Sequence, residues 1–303
     1  MAINKYGHFA KAAEASHITQ PTLSMQIQKL EEDLGVKIFD RSKKPIIATS
    51  IGKKLIEQFQ LILLESRKVE QLIQSYQTHD IEGELQLAVI PTLAPYVLPT
   101  FLPLLEKSHP GIQLKIQELQ THRIIEALNS DEVDVGLLVT PLKIPSIHEY
   151  PLFYEPFSVL CKNNHELSNH KKLKYSELSH SDIWLLEEGH CLRNQVLDVC
   201  ALKKNQKVKA KYQFESGSLE TLKSLVDNYG GYTLLPALAA NVIGNDSKLV
   251  NFERPIPARE VGLIYRREHY KRDLIEVVGE TIIASIPDKI RKIRPKDLDV
   301  IPV

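Results

Sequence analysis

The sequence has few cysteines and no excess of either charge. Three of its 303 residues are cysteine, and 38 basic residues are balanced by 38 acidic ones. A chain without net charge has no global field that would draw it to nucleic acid or to a membrane surface. No secretory signal pattern opens the sequence, so we expect a cytoplasmic protein in a reducing compartment, where structural disulfides are rare.

Long apolar runs, internal repeats, low-complexity tracts and glycine-rich phosphate loops are also absent. Charged residues or prolines interrupt every apolar stretch well short of the roughly 18 residues that a transmembrane helix needs, which excludes a membrane span. With 43% hydrophobic and 25% charged residues, the composition is typical of a globular protein, and 303 residues allow two or three domains.

The N-terminal segment carries a local charge bias. Residues 1–54 contain nine lysines and arginines and five acidic residues, a difference of +4, which is a mild indication of phosphate contact. A helical pattern covers 8–16. Thr19 and Pro21 suit the cap and first turn of a second helix, which is predicted to end at Gly35.

Residues 36–39 and 46–48 are predicted to form a small hairpin with a basic tip. Two short helices, a tight turn and a basic hairpin are typical of a winged helix-turn-helix, in which the second helix enters the major groove and the wing touches phosphates. An ordinary helical hairpin with a solvated polar face is the alternative. The residues that we expect to contact double-stranded DNA are Gln20, Pro21, Thr22, Ser24, Gln26, Lys29, Arg41 and Lys43.

A third, long helix is predicted from Thr49 or Ser50 to about residue 77. Its apolar residues recur at helical spacing, and about 28 residues would form a rod on the order of 40 Å long. One small core cannot cover such a rod, so we expect it to pair with a second copy of the chain in a homodimer or homotetramer. A linker packed on its own domain is the alternative.

Beyond residue 80 the pattern changes to alternating strands and helices. Strands are predicted at 84–90, 112–119 and 133–139, and this βαβαβ order predicts a parallel sheet flanked by helices. Ligands of such sheets bind beyond the carboxyl ends of the strands, where Thr92 and Thr121 lie.

A second α/β unit is predicted from about 163 to 260, including a helix at 219–229. A strand at 261–265 and a helix at 271–286 return to the first unit, so the two units are expected to form a clamshell with a central cleft. The basic segment 291–296 is predicted to be a loose tail.

Cys191 and Cys200 lie nine residues apart and are the most informative feature of the sequence. His190 and Arg193 flank the first thiol with cationic or hydrogen-bonding groups that favour the thiolate, the form that attacks peroxide. The second thiol can then resolve the sulfenic acid to a disulfide, so the pair indicates a redox switch. A metal site formed by His190, Cys191 and Cys200, with His180 nearby, is the alternative, although paired ligand spacings are missing.

The cysteine spacing has a structural consequence. Nine residues span about 13 Å along a helix, whereas the α-carbons of a disulfide lie roughly 4.4 to 6.8 Å apart. If 193–200 is helical in the reduced protein, disulfide formation must unravel it, and refolding would change how a dimer presents its DNA-binding heads. The remaining cysteine, Cys161, lies in a predicted strand at 157–162 and is expected to be a buried core thiol.

Taken together, these features resemble a known family. Residues 8–55 are similar to the DNA-binding domain of LysR-type transcriptional regulators, and the part after residue 80 is similar to their regulatory domain. The run from Gly189 to Arg193, followed by Cys200, is similar to that of the peroxide-sensing members of the family. Further motifs that carry the resemblance are Thr19 to Ser24, Leu34 to Val36, Phe39 to Arg41, Ile90 to Thr92, Gln120 to His122, Ser218 to Leu222 and Thr233 to Leu238.

The resemblance implies an α/β protein with a two-lobed, periplasmic-binding-protein-like regulatory domain. The implied parts are a winged helix-turn-helix at 1–52, a linker and dimerisation helix at 53–80, and a regulatory domain at 81–303, with lobe I at about 81–161 and 267–290 and lobe II at about 162–266. In the family the first helix begins well upstream of the position of His8, so we expect this chain to start inside that helix.

The same resemblance implies roles for the site residues. Cys191 is expected to react with hydrogen peroxide and Cys200 to form a disulfide with it, which alters DNA binding and the activation of oxidative-stress genes. The peroxide pocket is expected to contain Thr92, Thr121, His190 and Arg193. The implied partners are a double-stranded DNA operator, hydrogen peroxide, further copies of the chain and RNA polymerase, with no cofactor, metal or membrane.

Two positions depart from the peroxide-sensing pattern. Asn194 stands where aspartate is usual, which removes a carboxylate acceptor for Arg193, and Gln213 stands where histidine is frequent. The main alternative function is a LysR-type regulator that binds a small organic effector in the cleft between the lobes. A thiol peroxidase is a further alternative, but a helix-turn-helix and a long dimer helix argue against an enzyme.

Overall fold

The structure, a computed structural model, divides the chain into two units, Met1–His79 and Asp80–Val303. The residues that it describes are 1–77, 81–178, 182–200, 217–241, 246–267, 269 and 271–303, with the backbone alone for 61, 64, 65, 67, 68, 70–77 and 241. His180 and Gln213 lie outside the described residues, so the expectations stated for them stay predictions.

The first unit opens with three helices and a two-stranded hairpin. They are α1 (Ala2–Tyr6), α2 (Phe9–Ala15), α3 (Gln20–Asp33), β1 (Phe39–Asp40) and β2 (Ile47–Ala48). The Thr19 hydroxyl caps α3 by accepting a hydrogen bond from the backbone N–H of Thr22, and Pro21 lies in the first turn. Gly35 follows the helix with a φ of 68°, which favours glycine. The predicted limits of α3 are confirmed, and the hairpin forms with shorter strands.

An apolar core joins these elements to the start of the long helix. Its buried residues are Ile3, Phe9, Ala12, Ala13, Leu23, Ile38, Phe39, Ala48 and Ile56. The buried Glu31 carboxylate of α3 accepts hydrogen bonds from the backbone N–H groups of Ile38 at 2.9 Å and Phe39 at 3.1 Å. Lys37 and Arg41 each pair with the same carboxylate at 3.3 Å, so Glu31 fixes β1 to α3.

The predicted long helix is present as α4 (Ser50–Gln77), a single helix of 28 residues. Leu55 and Phe59 pack against the core of the first unit. Farther along the helix, the side chains of Ile62 and Val69 are 63% and 57% exposed. Apolar side chains left exposed on a long helix suit pairing with a second chain, and the homodimer stays a prediction.

The second unit is an α/β fold that begins in the predicted βαβαβ order. Its first elements are β3 (Gly83–Val89), α5 (Ala94–Ser108), β4 (Ile112–Glu118), α6 (Thr121–Asn129) and β5 (Val135–Thr140). Strand β3 pairs in parallel with both β4 and β5, so the predicted parallel sheet is confirmed. Strand β5 is buried over its whole length, which explains why it reads as a nearly continuous apolar segment, whereas the first half of β3 alternates.

Two long antiparallel strands, β6 (Ile147–Lys162) and β10 (Ile256–Arg266), connect the two halves of this unit. The predicted strands 157–162 and 261–265 are only parts of them. Pro151 within β6 interrupts the sequence pattern of a strand, which hides the first half of β6 from a reading of the sequence.

The second half of the unit is built on the end of β6. Its strands are β7 (Lys172–Leu173), β8 (Tyr232–Pro236) and β9 (Ser247–Phe252), and its helices are α7 (Cys191–Val199) and α8 (Leu219–Tyr229). Helices α9 (Arg272–Ser285) and α10 (Asp288–Arg291) follow β10. The predicted helices at 219–229 and 271–286 are therefore confirmed. None of the described helices is long and apolar enough to cross a membrane.

The apolar side chains of the second unit form two separate cores. The first includes Val97 and Phe101 of α5 with Leu263 of β10. The second includes Phe157 of β6, which lies on the strand that also carries the fully buried Cys161. Each half of the clamshell therefore has its own core, and β6 contributes to both.

The C-terminal segment is not the loose basic tail that its composition suggested. Arg291 ends α10, Pro295–Asp297 forms a 3-10 turn, and Leu298–Val300 forms a strand, β11, which pairs in parallel with β10. Ile301 follows with 7% of its surface exposed and packs in the second core. The prediction was wrong because the basic residues precede a short apolar anchor that is too brief to be recognised as a strand.

We expect Glu31→Gln to destabilise the first unit by about 2 kcal/mol, because hydrogen bonds to a charged group contribute roughly 1.5–3 kcal/mol. Glu32→Gln, an exposed neighbour on the same helix, is the matched control and should change stability little. Hydrogen exchange of the α3 amides in the full chain measures both effects. Equal effects of the two substitutions would contradict this role of Glu31.

The same carboxylate should make the first unit sensitive to acid. Burial alone would raise the pKa of Glu31, but the N–H groups of Phe39 and Ile38 together with Lys37 and Arg41 outweigh it, so the pKa lies below its usual value. The stabilisation is therefore complete above the ordinary glutamate pKa and is lost as the pH falls through the lowered one. Protection factors of the α3 amides, which are the intrinsic exchange rates divided by the observed ones, should fall less between about pH 6 and about pH 3 in Glu31→Gln than in the unmodified chain.

Candidate functional site

The helix between the two cysteines is the centre of the candidate site. Helix α7 begins at Cys191 and ends at Val199, with His190 before it and Cys200 as its C-terminal cap, so the helical state expected for the reduced segment is confirmed. All three cysteines are free and buried. Asn194, which lacks the usual carboxylate, is exposed on this helix.

The turn that leads into α7 packs tightly against the start of α6. Gly189 has a φ of 96°, and a β-carbon at this position would lie 2.7 Å from the Oε1 atom of Gln120. Glycine therefore permits the approach that brings Cys191 to Thr121, the first residue of α6. Hydrogen bonding from the Thr121 hydroxyl acts to lower the pKa of the Cys191 thiol.

A buried ion pair lies close to Cys191. Arg259 of β10 and Glu155 of β6 are completely buried, with the guanidinium Nε at 2.8 Å and one terminal nitrogen at 2.7 Å from the carboxylate. The other terminal nitrogen donates to the hydroxyl of Thr92 at 2.9 Å, and Glu155 accepts from the backbone N–H of Leu238 at 2.7 Å. These extra hydrogen bonds offset the desolvation that makes an isolated buried pair unfavourable.

Sequence reasoning missed Arg259 and Glu155. A signal was available, because each is a charged residue on a strand whose neighbours are mostly buried. Arginine and glutamate are almost never fully buried unless they are paired. The two lie about a hundred positions apart in the sequence, so the pairing itself becomes visible only in the fold.

The electrostatic environment of Cys191 differs from the expectation. Burial raises the pKa of the Cys191 thiol, while the charge of Arg259, the hydroxyl of Thr121 and backbone N–H groups at the start of α7 act in the opposite direction. The net direction is upward, so the thiolate preference inferred from His190 and Arg193 is wrong for the resting site. The missing factor was burial, which leaves Cys191 only 6% exposed.

The two residues that flank Cys191 make contacts of their own. His190 is 5% exposed, and its Nε2 atom lies 3.5 Å from the Nε2 atom of Gln120 and 3.5 Å from a carboxylate oxygen of Glu187. A terminal nitrogen of Arg193 donates to the backbone carbonyl of Leu186 at 2.7 Å. Arg193 therefore ties α7 to the preceding segment, whereas the guanidinium that acts on the Cys191 sulfur is that of Arg259.

Cys200 packs in the second core, whereas Cys191 packs in the first. Cys200 is 2% exposed. Burial raises the pKa of its thiol to about 12, although hydrogen bonding from Tyr232 of β8 acts to lower it, so at neutral pH Cys200 is a thiol. Tyr232 was also missed, although a buried tyrosine usually has a hydrogen-bond partner for its hydroxyl.

Helix α7 and a bond between its cysteines are mutually exclusive. A helix that joins residues 191 and 200 separates their α-carbons by about 13 Å, well beyond the roughly 4.4 to 6.8 Å of a disulfide. The described structure is therefore the dithiol form, and a disulfide requires α7 to unwind.

The residues predicted to contact DNA lie on α3 and on the hairpin of the first unit. The exposed or partly exposed ones on α3 are Gln20, Pro21, Thr22, Ser24, Gln26 and Lys29. Lys43 is exposed between β1 and β2. Arg41 is also exposed but has a structural role. Its guanidinium pairs with Glu31, and the central carbon of that group lies 5.1 Å from the ring centroid of Phe9.

The described part of the chain offers no metal site around the cysteines. No group of three or more histidine, cysteine, aspartate or glutamate side chains is placed there to hold a metal ion. His180, the nearby ligand of the metal alternative, lies outside the described residues.

Two protein families match the two units of the chain. Residues 1–53 match the bacterial regulatory helix-turn-helix protein family, lysR family, and residues 78–285 match the LysR substrate binding domain.

Curated relatives cover nearly the whole chain. A hydrogen peroxide-inducible genes activator from Haemophilus influenzae is 31% identical over 97% of this chain and 95% of its own length. The DNA-binding transcriptional dual regulator OxyR from Escherichia coli K12 is 32% identical over the same shares, 97% and 95%.

Solved structures extend the similarity to the fold. A full-length OxyR with a cysteine-to-aspartate substitution from Pseudomonas aeruginosa has a TM-score of 0.76 and 31% identity, over 93% of this chain and 94% of that one. A hydrogen peroxide-bound OxyR with a cysteine-to-serine substitution from Corynebacterium glutamicum has a TM-score of 0.63 and 28% identity, over 94% and 89%. The chain therefore belongs to the LysR family of bacterial transcriptional regulators and, within that family, to the OxyR group.

Proposed function

We propose that this chain is a redox-sensing transcriptional regulator that hydrogen peroxide switches through Cys191 and Cys200. The observation that carries the proposal is the helix between them, whose folded state excludes the disulfide that its two cysteines would form. The names of its relatives support peroxide as the signal.

In the first step the Cys191 sulfur attacks one oxygen atom of hydrogen peroxide. The S–O bond forms as the O–O bond breaks, and the thiol proton leaves with the second oxygen as water, so that Cys191 becomes a sulfenic acid. Thr121 donates a hydrogen bond to the sulfur as it becomes negative. The fixed charge of Arg259 stabilises negative charge on the sulfur and on the departing oxygen.

We infer a pocket that differs in one respect from the one expected from the sequence. Thr92, Thr121 and His190 remain its proposed polar residues. Arg259, which hydrogen-bonds to Thr92, takes the role of the positive charge. Arg193 keeps a supporting role, because its bond to the Leu186 carbonyl positions the first turn of α7.

In the second step Cys200 attacks the sulfenic acid. The S–S bond forms, the S–O bond of the sulfenic acid breaks, and the hydroxyl leaves as water with the proton of the Cys200 thiol. Cys200 first has to leave the second core and its hydrogen bond to Tyr232. The unwinding of α7 is therefore part of the reaction, and it supplies the conformational change that a regulator requires.

The conformational change would reach DNA through the first unit. The polar face of α3 is suited to the major groove and Lys43 to phosphates, while the exposed apolar side chains of α4 support a homodimer or homotetramer.

RNA polymerase is the expected partner of an activator, and a cytoplasmic location follows from a chromosomal target. In the alternative, an organic effector in the cleft between the lobes would act without cysteine oxidation.

We expect dilute peroxide to remove two free thiols from the unmodified chain and none from Cys191→Ser. In Cys200→Ser the reaction should stop at a sulfenic acid, which dimedone labels on Cys191. Mass spectrometry of the labelled chain measures both outcomes. Cys161→Ser, a fully buried thiol outside the site, is the matched control and should retain the switch. A disulfide that still forms in Cys191→Ser would contradict the assignment.

We expect the double substitution Arg259→Met with Glu155→Gln to slow peroxide oxidation of Cys191 by about tenfold or more, because a neighbouring positive charge favours the thiolate. Neutralising both partners avoids an unpaired buried charge and preserves the fold. Removal of the cation raises the thiol pKa, so the rate should recover as the pH increases. An unchanged rate in a chain with an unchanged unfolding midpoint would contradict the role of Arg259.

We expect Lys29→Ala to weaken binding to a random-sequence DNA duplex and to reduce the salt dependence by about one unit of slope, the effect of losing one phosphate contact. Lys107→Ala, an exposed lysine of the second unit, should leave the slope unchanged. Fluorescence anisotropy at several salt concentrations measures both slopes. The same slope for Lys29→Ala and the unmodified chain would contradict a groove-facing α3.

A further inference from the structure

The helix that carries the cysteines is attached to the C-terminal strand β11 by one side chain. Gln195 of α7 is completely buried, and its Nε2 atom donates to the backbone carbonyl of Ile301 at 2.9 Å. Ile301 directly follows β11, and its own N–H donates to the carbonyl of Ala258 at 2.8 Å. A single amide group thus joins the segment between the cysteines to the end of β11.

Few other contacts hold β11 in place among the described residues. Its three residues pair with residues 256–258 of β10, and the Tyr175 hydroxyl donates to the carboxylate of Asp299 at 3.1 Å. The apolar side chain of Ile301 lies in the second core, which is also the core that contains Cys200. A three-residue strand at a sheet edge is short, so each contact at its end contributes noticeably to docking.

Gln195 has a second property that an ordinary core residue lacks. Among the described residues, no group donates a hydrogen bond to its buried Oε1 atom. An unsatisfied buried acceptor destabilises the state that buries it, and an apolar side chain of the same length would avoid this loss. The presence of glutamine at this buried position is therefore explained by the hydrogen bond that its Nε2 atom donates to the Ile301 carbonyl.

The position of Gln195 links this contact to the redox state. It lies between Cys191 and Cys200, in the segment that must unwind when the two sulfurs bond. Once α7 unwinds, the amide nitrogen is no longer held beside the Ile301 carbonyl. The contact thus belongs to the dithiol form.

We infer that Gln195 is a positioning residue that couples the cysteine pair to β11, so that the reduced protein holds the strand and disulfide formation releases it. The inference rests on the proposed function, in which peroxide is the oxidant and water the product. Linkage makes the effect reciprocal, because docking of β11 favours the dithiol form by as much as oxidation weakens docking.

Hydrogen exchange of the full chain, reduced and after peroxide treatment, tests the release. The amides of β11 and Ile301 should exchange at least about tenfold faster in the disulfide form. Unchanged exchange there, with faster exchange in α7, would overturn the inference and leave the proposed function standing. If peroxide forms no Cys191–Cys200 disulfide, the proposed function fails and the inference fails with it.

A double-mutant cycle tests the role of Gln195 itself. A chain that lacks residues 301–303 should shift toward the disulfide in a glutathione buffer, because it loses both the hydrogen bond from Gln195 and the packing of Ile301. The shift should be smaller by about fivefold in a Gln195→Met background, as expected for one hydrogen bond that is already lost, but should have its full size in Asp198→Met, an exposed control on the same helix. An equal shift in all backgrounds would mean that Ile301 acts by apolar packing alone and would overturn the coupling.

If the truncated chain fails to fold, hydrogen exchange of the reduced Gln195→Met variant tests the inference in its place. In reduced Gln195→Met, the exchange of the β11 amides should rise toward the level of the oxidised unmodified chain, whereas reduced Asp198→Met should keep the protection of the unmodified chain. Full protection of β11 in reduced Gln195→Met would contradict the inference.

Discussion

Helix α7 holds Cys191 and Cys200 about 13 Å apart, roughly twice the separation that a disulfide allows. The two sulfurs also lie in different cores, so neither can move to the other by a change of side-chain rotamer. Two redox states therefore require two backbone conformations of the same segment. Because α7 contributes to both cores of one domain, a change in this segment is also a change in the packing of the domain.

The order of events follows from the state of Cys200. The Cys200 thiol has a pKa of about 12 and is 2% exposed, so it is a poor nucleophile in its buried position. In the proposed reaction it becomes reactive only after leaving the second core, so the sulfenic acid at Cys191 would have to persist until α7 opens. On the same proposal, the noncovalent contacts that keep α7 folded, including that of Gln195, would set how readily the disulfide forms and how readily reduction restores the helix.

The sequence was sufficient to predict those helices whose limits are set by residues close to one another in the chain. Thr19, Pro21 and Gly35 mark the limits of α3 through capping chemistry, and the helical spacing of apolar residues located α4 and α8. The site was predictable in part, because the βαβαβ pattern brings Thr121, the first residue of the helix that follows β4, to a ligand-binding edge. The contacts of Arg259, Glu155 and Tyr232 were not predictable, since each residue reaches the site through strand pairings between distant segments. The direction of the Cys191 pKa shift could not be predicted either, because it depends on burial, which is set by the tertiary structure. The position of β11 depends on the pairing of only three residues with β10, which leaves too short a pattern in the sequence.

The burial that raises the pKa of Cys191 also strengthens the groups arranged around it. Low local polarity makes the charge of Arg259 more effective than it would be in water, and the Glu155 carboxylate and the Thr92 hydroxyl keep that charge in a fixed orientation. Cys191, which is 6% exposed, is closed to bulky oxidants, whereas an oxidant as small as hydrogen peroxide can exchange its hydrogen bonds to water for hydrogen bonds to polar groups of the pocket. In the proposed reaction, negative charge develops on the sulfur and on the leaving oxygen, and Arg259 would stabilise this charge more than it stabilises the neutral thiol. On that proposal, burial protects the resting thiol and, through the ion pair, favours its reaction with a small neutral oxidant over reaction with a large one.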